Sequence, residues 1–315
     1  MVTLNSLKDF KPLSGSVLTV GTFDGIHLGH QKVFKLVKSR AEFLNTKSVV
    51  ITFQPHPQHI LRKANQPAKK LLCSYEDKLA LLEKMGIDYL IILPFDTKMN
   101  HTTAEEFLEK IIIDNFHPNE IVLGHDHHFG HQRKGDAEFL RSVSGKYGFK
   151  VEEVEPFLLL DEIVSSTSIR NYLSQSNIKS TAKMLGRQYA INGTVVKGSG
   201  RGKALSFPTA NINPENEHLL IPGNGVYLVD VFWKENHFHG MCNIGVRPTF
   251  DDSGNKKIEV HLFDDNIPDL YGEKLRIEFI NFIRNEDKFP SATELVSQIR
   301  KDREQCIELI EETEN

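Results

Sequence analysis

A short, largely apolar run, Val17-Leu18-Thr19-Val20, breaks into Gly21-Thr22-Phe23-Asp24-Gly25-Ile26-His27-Leu28-Gly29-His30 and then into an amphipathic helical pattern. A strand that turns through glycines directly into a helix fixes the first unit of an alternating strand–helix fold. The turn also has a chemistry. Glycines let the backbone come close to a ligand, and the free N–H groups and positive dipole end of the following helix face an anion. His27 and His30, three apart across Gly29, add donors aimed at the same spot, with an ordinary pKa near neutrality that lets them carry charge when an anion binds. Such a turn is built to hold a polyphosphate.

The alternation continues to about Leu185. Strands are expected at Val17–Val20, Ser48–Phe53, Tyr89–Leu93, Glu120–Leu123 and Phe149–Val154. Ser74 and Asp77 open a helix that stops at Gly86, and Thr103 with Glu106 makes a capping-box pair ahead of Phe107, Leu108, Ile111 and Ile112, which share one helical face. This predicts an open parallel sheet covered on both sides, with its ligand at the carboxyl ends of the strands. The histidine turn, His56, the Gly124–Gly130 loop and the Ser165–Arg170 segment all fall there.

After about Gly186 the texture changes. Tyr189–Lys197, Phe207–Ile212, Gly225–Trp233, Phe238–Ile244, Lys256–Phe263 and Lys274–Ile283 are β-branched or alternating, with turns between them. Six strands with little helix between them predict a small antiparallel barrel. A last helix follows: Ser291 and Glu294 have capping-box spacing, and Leu295, Ile299, Cys306 and Ile310 share a face. The expected fold is therefore α/β followed by β, a Rossmann-like domain over 1–183 and a six-stranded barrel with a C-terminal helix over 184–315.

With 315 residues the chain is long enough for each domain to bury its own core. A formal charge of −4 provides no basic field for general nucleic-acid binding. No apolar run reaches the ~18 residues of a membrane span, and the N-terminus has no signal pattern. Three scattered cysteines, Cys73, Cys242 and Cys306, lack metal spacing and read as reduced thiols. The expectation is a cytoplasmic protein, monomeric or weakly homo-oligomeric, with no nucleic-acid or membrane partner.

Gln54-Pro55-His56-Pro57 lies just beyond the second strand, where His56 either lines the cleft or only stiffens a turn. Val164-Ser165-Ser166-Thr167-Ser168-Ile169-Arg170 reads as a hydroxyl-rich helix start with an arginine one turn in, suited to clamp phosphate. The loop Gly124-His125-Asp126-His127-His128-Phe129-Gly130-His131 has histidines enough for a metal but no distant partner set, so Asp126 is expected over a nucleotide with Phe129 stacking. In the second half, Lys197-Gly198-Ser199-Gly200-Arg201-Gly202-Lys203 can fold over phosphates, and Thr209 and Asn211 offer two neutral oxygens on one face, a set that suits Mg²⁺. Glu259 points away from the face shared by Ile258, Val260 and Leu262, either as solvated surface or as a base for an alcohol.

The chain resembles bacterial bifunctional riboflavin kinase/FAD synthetases. Gly21–His30, Gly124–Gly130 and Ser165–Arg170 are similar to the three signatures of the adenylyltransferase half. Gly198–Asn211, Asn243–Phe250, Glu259 and Leu270-Tyr271-Gly272-Glu273 are similar to the kinase half in the same order. The resemblance implies phosphorylation of riboflavin to FMN and adenylation of FMN to FAD, with ATP as substrate of both and Mg²⁺ as cofactor. It implies His27, His30 and Arg170 as catalytic residues of the adenylation. Gly21, Phe23, Asp24, Gly29, Asp126, Ser166 and Thr167 would bind ATP there, and His56 the flavin. For the kinase it implies Glu259 as base, Thr209 and Asn211 as Mg²⁺–ATP ligands, Gly198, Gly200 and Lys203 as phosphate flap, and Asn243 and Arg247 as flavin contacts. At His127-His128 the family commonly has an aromatic–arginine pair, which predicts a weaker flavin or phosphate contact and a steeper pH dependence of adenylation. The remaining histidines and the acidic tail Glu308–Glu314 read as surface. Two rivals stand beside this reading: a riboflavin kinase with impaired adenylation, and a flavin- or nucleotide-binding regulator without turnover.

Overall fold

The structure, a computed structural model, describes residues 1–61, 68–125, 127–198, 207–246, 256–264 and 267–314. Packing divides the chain into two compact units, Met1–Ser166 and Thr167–Asn315.

The first unit runs β1 (Val2–Leu4), β2 (Ser16–Val20), α1 (Leu28–Phe43), β3 (Lys47–Gln54), α2 (Pro57–Leu61), α3 (Tyr75–Lys84), β4 (Tyr89–Pro94) and α4 (Thr97–His101). Next, α5 (Ala104–Phe107) passes through a π turn, Leu108–Ile113, into α6 (Asp114–Phe116). It is followed by β5 (Pro118–Gly124), α7 (Ala137–Tyr147), β6 (Lys150–Val154) and a small hairpin, β7 (Leu158–Leu159) with β8 (Glu162–Ile163). The six-stranded sheet has the order β1-β4-β3-β2-β5-β6, and every neighbouring pair is parallel. From β2 the chain first builds outward through β3 and β4, then returns to lay β5 on the other side. The carboxyl ends of β2 and β5 are thus the switch point where an open α/β sheet opens a crevice.

Alternation along the strands fills both faces. Leu18, Val20, Val49, Ile51, Ile91, Leu93, Ile121 and Leu123 meet Phe107, Leu108, Ile112 and Phe116 on one side. Val50, Leu90 and Ile92 meet Phe34 and Leu82 on the other. The expected caps form: Ser74 accepts from Asp77 N–H at 3.0 Å, and Thr103 and Glu106 exchange both bonds of a capping box. Buried in β5, Glu120 takes a two-pronged bond from Arg40 of α1, with Nε to Oε2 at 2.7 Å and Nη2 to Oε1.

The second unit begins one residue into α8 (Ser166–Ser174), and α9 (Ile178–Leu185), β9 (Tyr189–Val196), β10 (Ala210–Pro214), β11 (Gly225–Trp233), β12 (Asn236–Val246), β13 (Lys256–Leu262), β14 (Lys274–Arg284) and α10 (Ala292–Glu314) follow. The strands close a six-stranded barrel in the order β10-β13-β12-β11-β14-β9, antiparallel at every pairing. The parallel sheet and the barrel with its trailing helix match the expected fold class. The packing boundary at 166/167 lies ahead of the expected 183/184, because the α8–α9 turn is tied to the barrel. Gly223 N–H donates to Leu173 O at 2.9 Å, and Tyr227 Oη donates to Ser176 Oγ at 2.8 Å. Along α10, Ile299, Cys306, Leu309 and Ile310 close over Leu228 and Met241 of the barrel wall.

Candidate active sites

In the first unit the histidine turn leaves β2 at the switch point. Gly21 N–H donates to Ile51 O at 2.9 Å, and a Cβ on Gly21 would lie 2.7 Å from the Phe23 ring. Phe23 and Ile26 adopt φ of 45° and 41°, values rare outside glycine, and both side chains are buried. Packing holds this strain: Phe23 sets its ring edge-on to Phe34 at 4.8 Å and to His30 at 5.3 Å. Asp24 is buried, with Oδ1 accepting from Leu72 N–H at 2.9 Å and its carbonyl accepting from Ser166 Oγ at 3.0 Å. Both contacts pin the turn.

His27 caps α1, its Nδ1 accepting from His30 N–H at 3.4 Å. The two rings stack at 3.6 Å between centroids, and Gly29 makes room for this, since a Cβ there would sit 3.1 Å from the His27 ring. The first intrahelical bond runs from Gln31 N–H to His27 O, so the Leu28 and Gly29 amides precede the helix ladder. Burial, with His27, Lys78 and His127 nearby, holds His30 well below its ordinary pKa. The expectation that both histidines take up charge when an anion binds therefore runs against burial at His30. Its Nδ1 is buried without a hydrogen-bond partner, a polar atom that a ligand can satisfy.

Sequence reasoning missed Lys78, which is buried on α3 and donates Nζ to Thr22 O at 2.8 Å, directly beneath the turn. Its signal was a lysine four residues before Leu82 on the face that packs inward. His127, one of the two histidines standing where the family commonly has an aromatic–arginine pair, is brought by the β5 loop within electrostatic reach of His30. Phe129 corrects an expectation: it does not stand ready to stack on a nucleotide but is 6 % exposed and packs in the core against Phe107 at 5.5 Å. Its backbone bridges Gly135, whose missing side chain admits the ring. His56 is buried, and its Nδ1 accepts from Gln58 N–H at 3.2 Å, within its own turn. Ser166 opens α8, with Thr167 and Arg170 following on that helix. Asp126 lies outside the described residues.

In the second unit the barrel register builds the site. Asn211 of β10 and Asn243 of β12 both stand directly opposite Glu259 of β13. Directly opposed residues share a sheet face, so the three form a polar row across three strands. Ile258, Val260 and Leu262 are buried on the other face, as the alternation predicts. Lys257 joins the row's face, with Nζ 2.6 Å from Glu259 Oε1; this partner went unread in the sequence although i, i+2 spacing implies it. A Cβ on Gly198 would lie 2.0 Å from Asn211 Nδ2, so only glycine lets the amide rest against that backbone. Gly200, Lys203 and Arg247 lie outside the described residues.

Two cavities meet at this wall. One, of about 550 Å³, is lined by Asn243, Lys257, Glu259, Phe289 and Leu295 among others, between the barrel and the start of α10. The other, of about 750 Å³, is lined by Val195, Ile267, Leu270, Tyr271 and Arg303 among others. Phe207, Thr209 and His261 line both. His261 is fixed there by Nδ1, 2.9 Å from Pro208 O, and by the edge-on Phe207 ring at 5.3 Å. The arrangement can bring a hydroxyl held beside Glu259 against a phosphate held beside Thr209.

Comparison with known proteins agrees with this architecture. The family model for FAD synthetase matches residues 9–168, and that for riboflavin kinase matches residues 185–310. The chain is 38% identical over 291 residues to a bifunctional riboflavin kinase/FMN adenylyltransferase of Buchnera aphidicola, covering 92% of this chain and 91% of that one. It is 37% identical to the protein of that name from Haemophilus influenzae, covering 93% of each, and 36% identical to that from Bacillus subtilis, covering 93% and 92%. A crystal structure named as a macrolide-efflux protein from Streptococcus pneumoniae superposes with a TM-score of 0.86 at 32% identity, covering 96% of this chain and 97% of that one. Among the described residues no helix is long and apolar enough to cross a membrane.

Proposed function

This chain belongs to the family of bifunctional riboflavin kinase/FMN adenylyltransferases, and we propose that each of its two units carries one of the two reactions at its own site. It is an enzyme that phosphorylates riboflavin to FMN and adenylates FMN to FAD, with the FAD synthetase part N-terminal and the riboflavin kinase part C-terminal.

The observation that carries the kinase assignment is the split lining of the two cavities. Glu259 faces only the smaller and Thr209 faces both. Riboflavin therefore occupies the smaller cavity, with its ribityl hydroxyl at Glu259, and ATP the larger. The hydroxyl oxygen attacks the γ-phosphorus, ADP leaves, and the Glu259 carboxylate takes the hydroxyl proton. Lys257, with Nζ 2.6 Å from Oε1, holds that carboxylate turned toward the row. Thr209 and Asn211 supply neutral oxygens two residues apart, a donor set that fits Mg²⁺, and the Gly198 cradle keeps the Asn211 amide in place. When bound, the ion neutralises charge on the phosphates.

For adenylation, a phosphate oxygen of FMN attacks the α-phosphorus of ATP and pyrophosphate leaves; no protein nucleophile takes part. His27, His30 and the first amides of α1 receive the phosphates. Lys78 contributes positive charge beneath them, while Asp24 and Phe23 hold the turn. We assign a second phosphate motif to Ser166, Thr167 and Arg170 at the start of α8, and keep the functional division at 183/184. Three buried thiols, Cys73, Cys242 and Cys306, none of them in a disulfide, suit an enzyme of the cytoplasm.

Incubating the purified chain with riboflavin and MgATP and separating the products tests the assignment. FMN followed by FAD is expected. FMN alone would leave only the kinase, and neither product would make the chain a binding protein.

A further inference from the structure

The β11–β12 hairpin holds a cluster that neither reaction uses. Asp230 of β11 stands opposite His239 of β12, and His237 lies two residues from His239 on the same face. Asp230 Oδ1 is 2.7 Å from His239 Nδ1 and 3.2 Å from His237 Nε2. One ligand atom from each of the three falls within 4.8 Å of the other two. The rings are held in place: His237 stacks on Phe232 at 4.8 Å and meets His239 nearly edge-on at 4.8 Å and 76°.

From this geometry we propose that Asp230, His237 and His239 form a binding site for a divalent transition-metal ion, Zn²⁺ or one of its neighbours. Two imidazoles and a carboxylate are the donors such ions prefer over Mg²⁺ or Ca²⁺. Metal–ligand bonds of about 2.0–2.2 Å place ligand atoms a little over 3 Å apart; the two separations to Asp230, 2.7 and 3.2 Å, are close to this, and the two imidazole nitrogens lie within 4.8 Å of each other. His237 is 45 % exposed, so the site opens to solvent and a water completes the coordination. Glu278, opposite Asp230 on β14, is engaged by Arg276 Nε at 2.8 Å, which leaves three protein ligands among the described residues. The ion clips β11 to β12. Asp230 lies four residues along β11 from Val226, the partner of Asn243, so the clip sits about 13 Å from the kinase row.

The chain's one tryptophan, Trp233, ends the same strand and serves as a built-in reporter, about 10 Å from Asp230 along β11. Full-length protein, stripped with chelator, is titrated with Zn²⁺ by calorimetry and with Cu²⁺ by Trp233 fluorescence; Cu²⁺, with its unfilled d shell, quenches at short range. The expected result is a Zn²⁺ site of one per chain and Cu²⁺ quenching of half or more. Both should be lost in His237→Gln/His239→Gln, while riboflavin phosphorylation stays within twofold of the parent. Should the double variant misfold, Asp230→Asn and His239→Gln singly are each expected to weaken Zn²⁺ binding at least tenfold. Absence of Zn²⁺ binding by the parent, or unchanged affinity and quenching in the variants, would overturn the proposal.

Discussion

Replacing Gly29 by alanine separates the stability of the histidine turn from its chemistry. The new Cβ would lie 3.1 Å from Cε1 and Nδ1 of His27, so the ring must give by a few tenths of an ångström. Alanine gains up to about 1 kcal/mol over glycine inside a helix, less in the first turn. Against this, the bond from His30 N–H to His27 Nδ1, already 3.4 Å long, is stretched or lost. Such a cap is worth about 1 kcal/mol. The terms nearly cancel, and the melting temperature should move by no more than about 4 °C. Adenylation has no such compensation. A shift of about 1 Å in a positioning group can cost a hundredfold, so a displacement of a few tenths is expected to lower kcat for FMN adenylation about tenfold. The assay follows FAD formation from supplied FMN and ATP by chromatography, with riboflavin phosphorylation in the same preparation as the internal control. Unchanged adenylation in a stable Gly29→Ala protein would refute the claim that the stacked His27 ring positions the phosphates. Equal losses in both reactions would indicate general damage.

In the other unit, Gly198→Ala puts a Cβ 2.0 Å from Asn211 Nδ2. Its kcat/KM for MgATP in riboflavin phosphorylation should drop more than tenfold, with FMN adenylation unaffected. The bond from Arg40 holds Glu120 below its ordinary carboxylate pKa. A depressed folded-state pKa stabilises the native protein above the unfolded value and loses that effect as pH falls through the folded one. The urea-midpoint difference between the parent and Glu120→Gln is therefore expected to be full at neutral pH and to shrink steadily below about pH 4.5, the ordinary glutamate range; a pH-independent difference would remove the ion pair from the account. Tyr227 Oη bonds to Ser176 Oγ and the Gly223 carbonyl in a buried setting that pushes its pKa up to about 12. Tyr227→Phe should cost about 1–2 kcal/mol in denaturant unfolding, and no loss would mean that the α8–α9 turn is held by packing alone.

What could be read from the sequence was whatever repeats or caps. Val17–Val20, Ser48–Phe53 and Tyr89–Leu93 are largely apolar runs, and the sheet buries them on both faces; the barrel strands alternate, and Glu259 falls opposite its buried neighbours as alternation requires. Ser74, Thr103 and Ser291 announced their helices because capping is local chemistry. Contacts over long sequence distances were not legible. Phe129 carries no mark telling a stacking platform from a core ring, and its packing against Phe107 of the preceding helix decides it. The three-residue strand β1 was missed because Val2-Thr3-Leu4 is too short to show a period. The π turn at Leu108–Ile113 shifts a helical face without altering its composition. Lys78 reads as an ordinary surface lysine until its helix docks under the turn, and Lys257 as an ordinary strand lysine until Glu259 is given a role. His237 and His239 read as surface because the carboxylate that joins them comes from the neighbouring strand.

Separate sites for successive steps are most directly tested by a pair of variants assayed on both half-reactions. His30→Ala should abolish FAD formation from FMN and leave riboflavin phosphorylation within about twofold. Glu259→Gln should lower riboflavin phosphorylation by about 10²–10⁴-fold and leave adenylation of supplied FMN intact. Mixing the two proteins with riboflavin and MgATP should then restore FAD. If either variant loses both half-reactions while remaining folded, or if Glu259→Gln still makes FMN at the parental rate, the assignment of one reaction to each site is wrong.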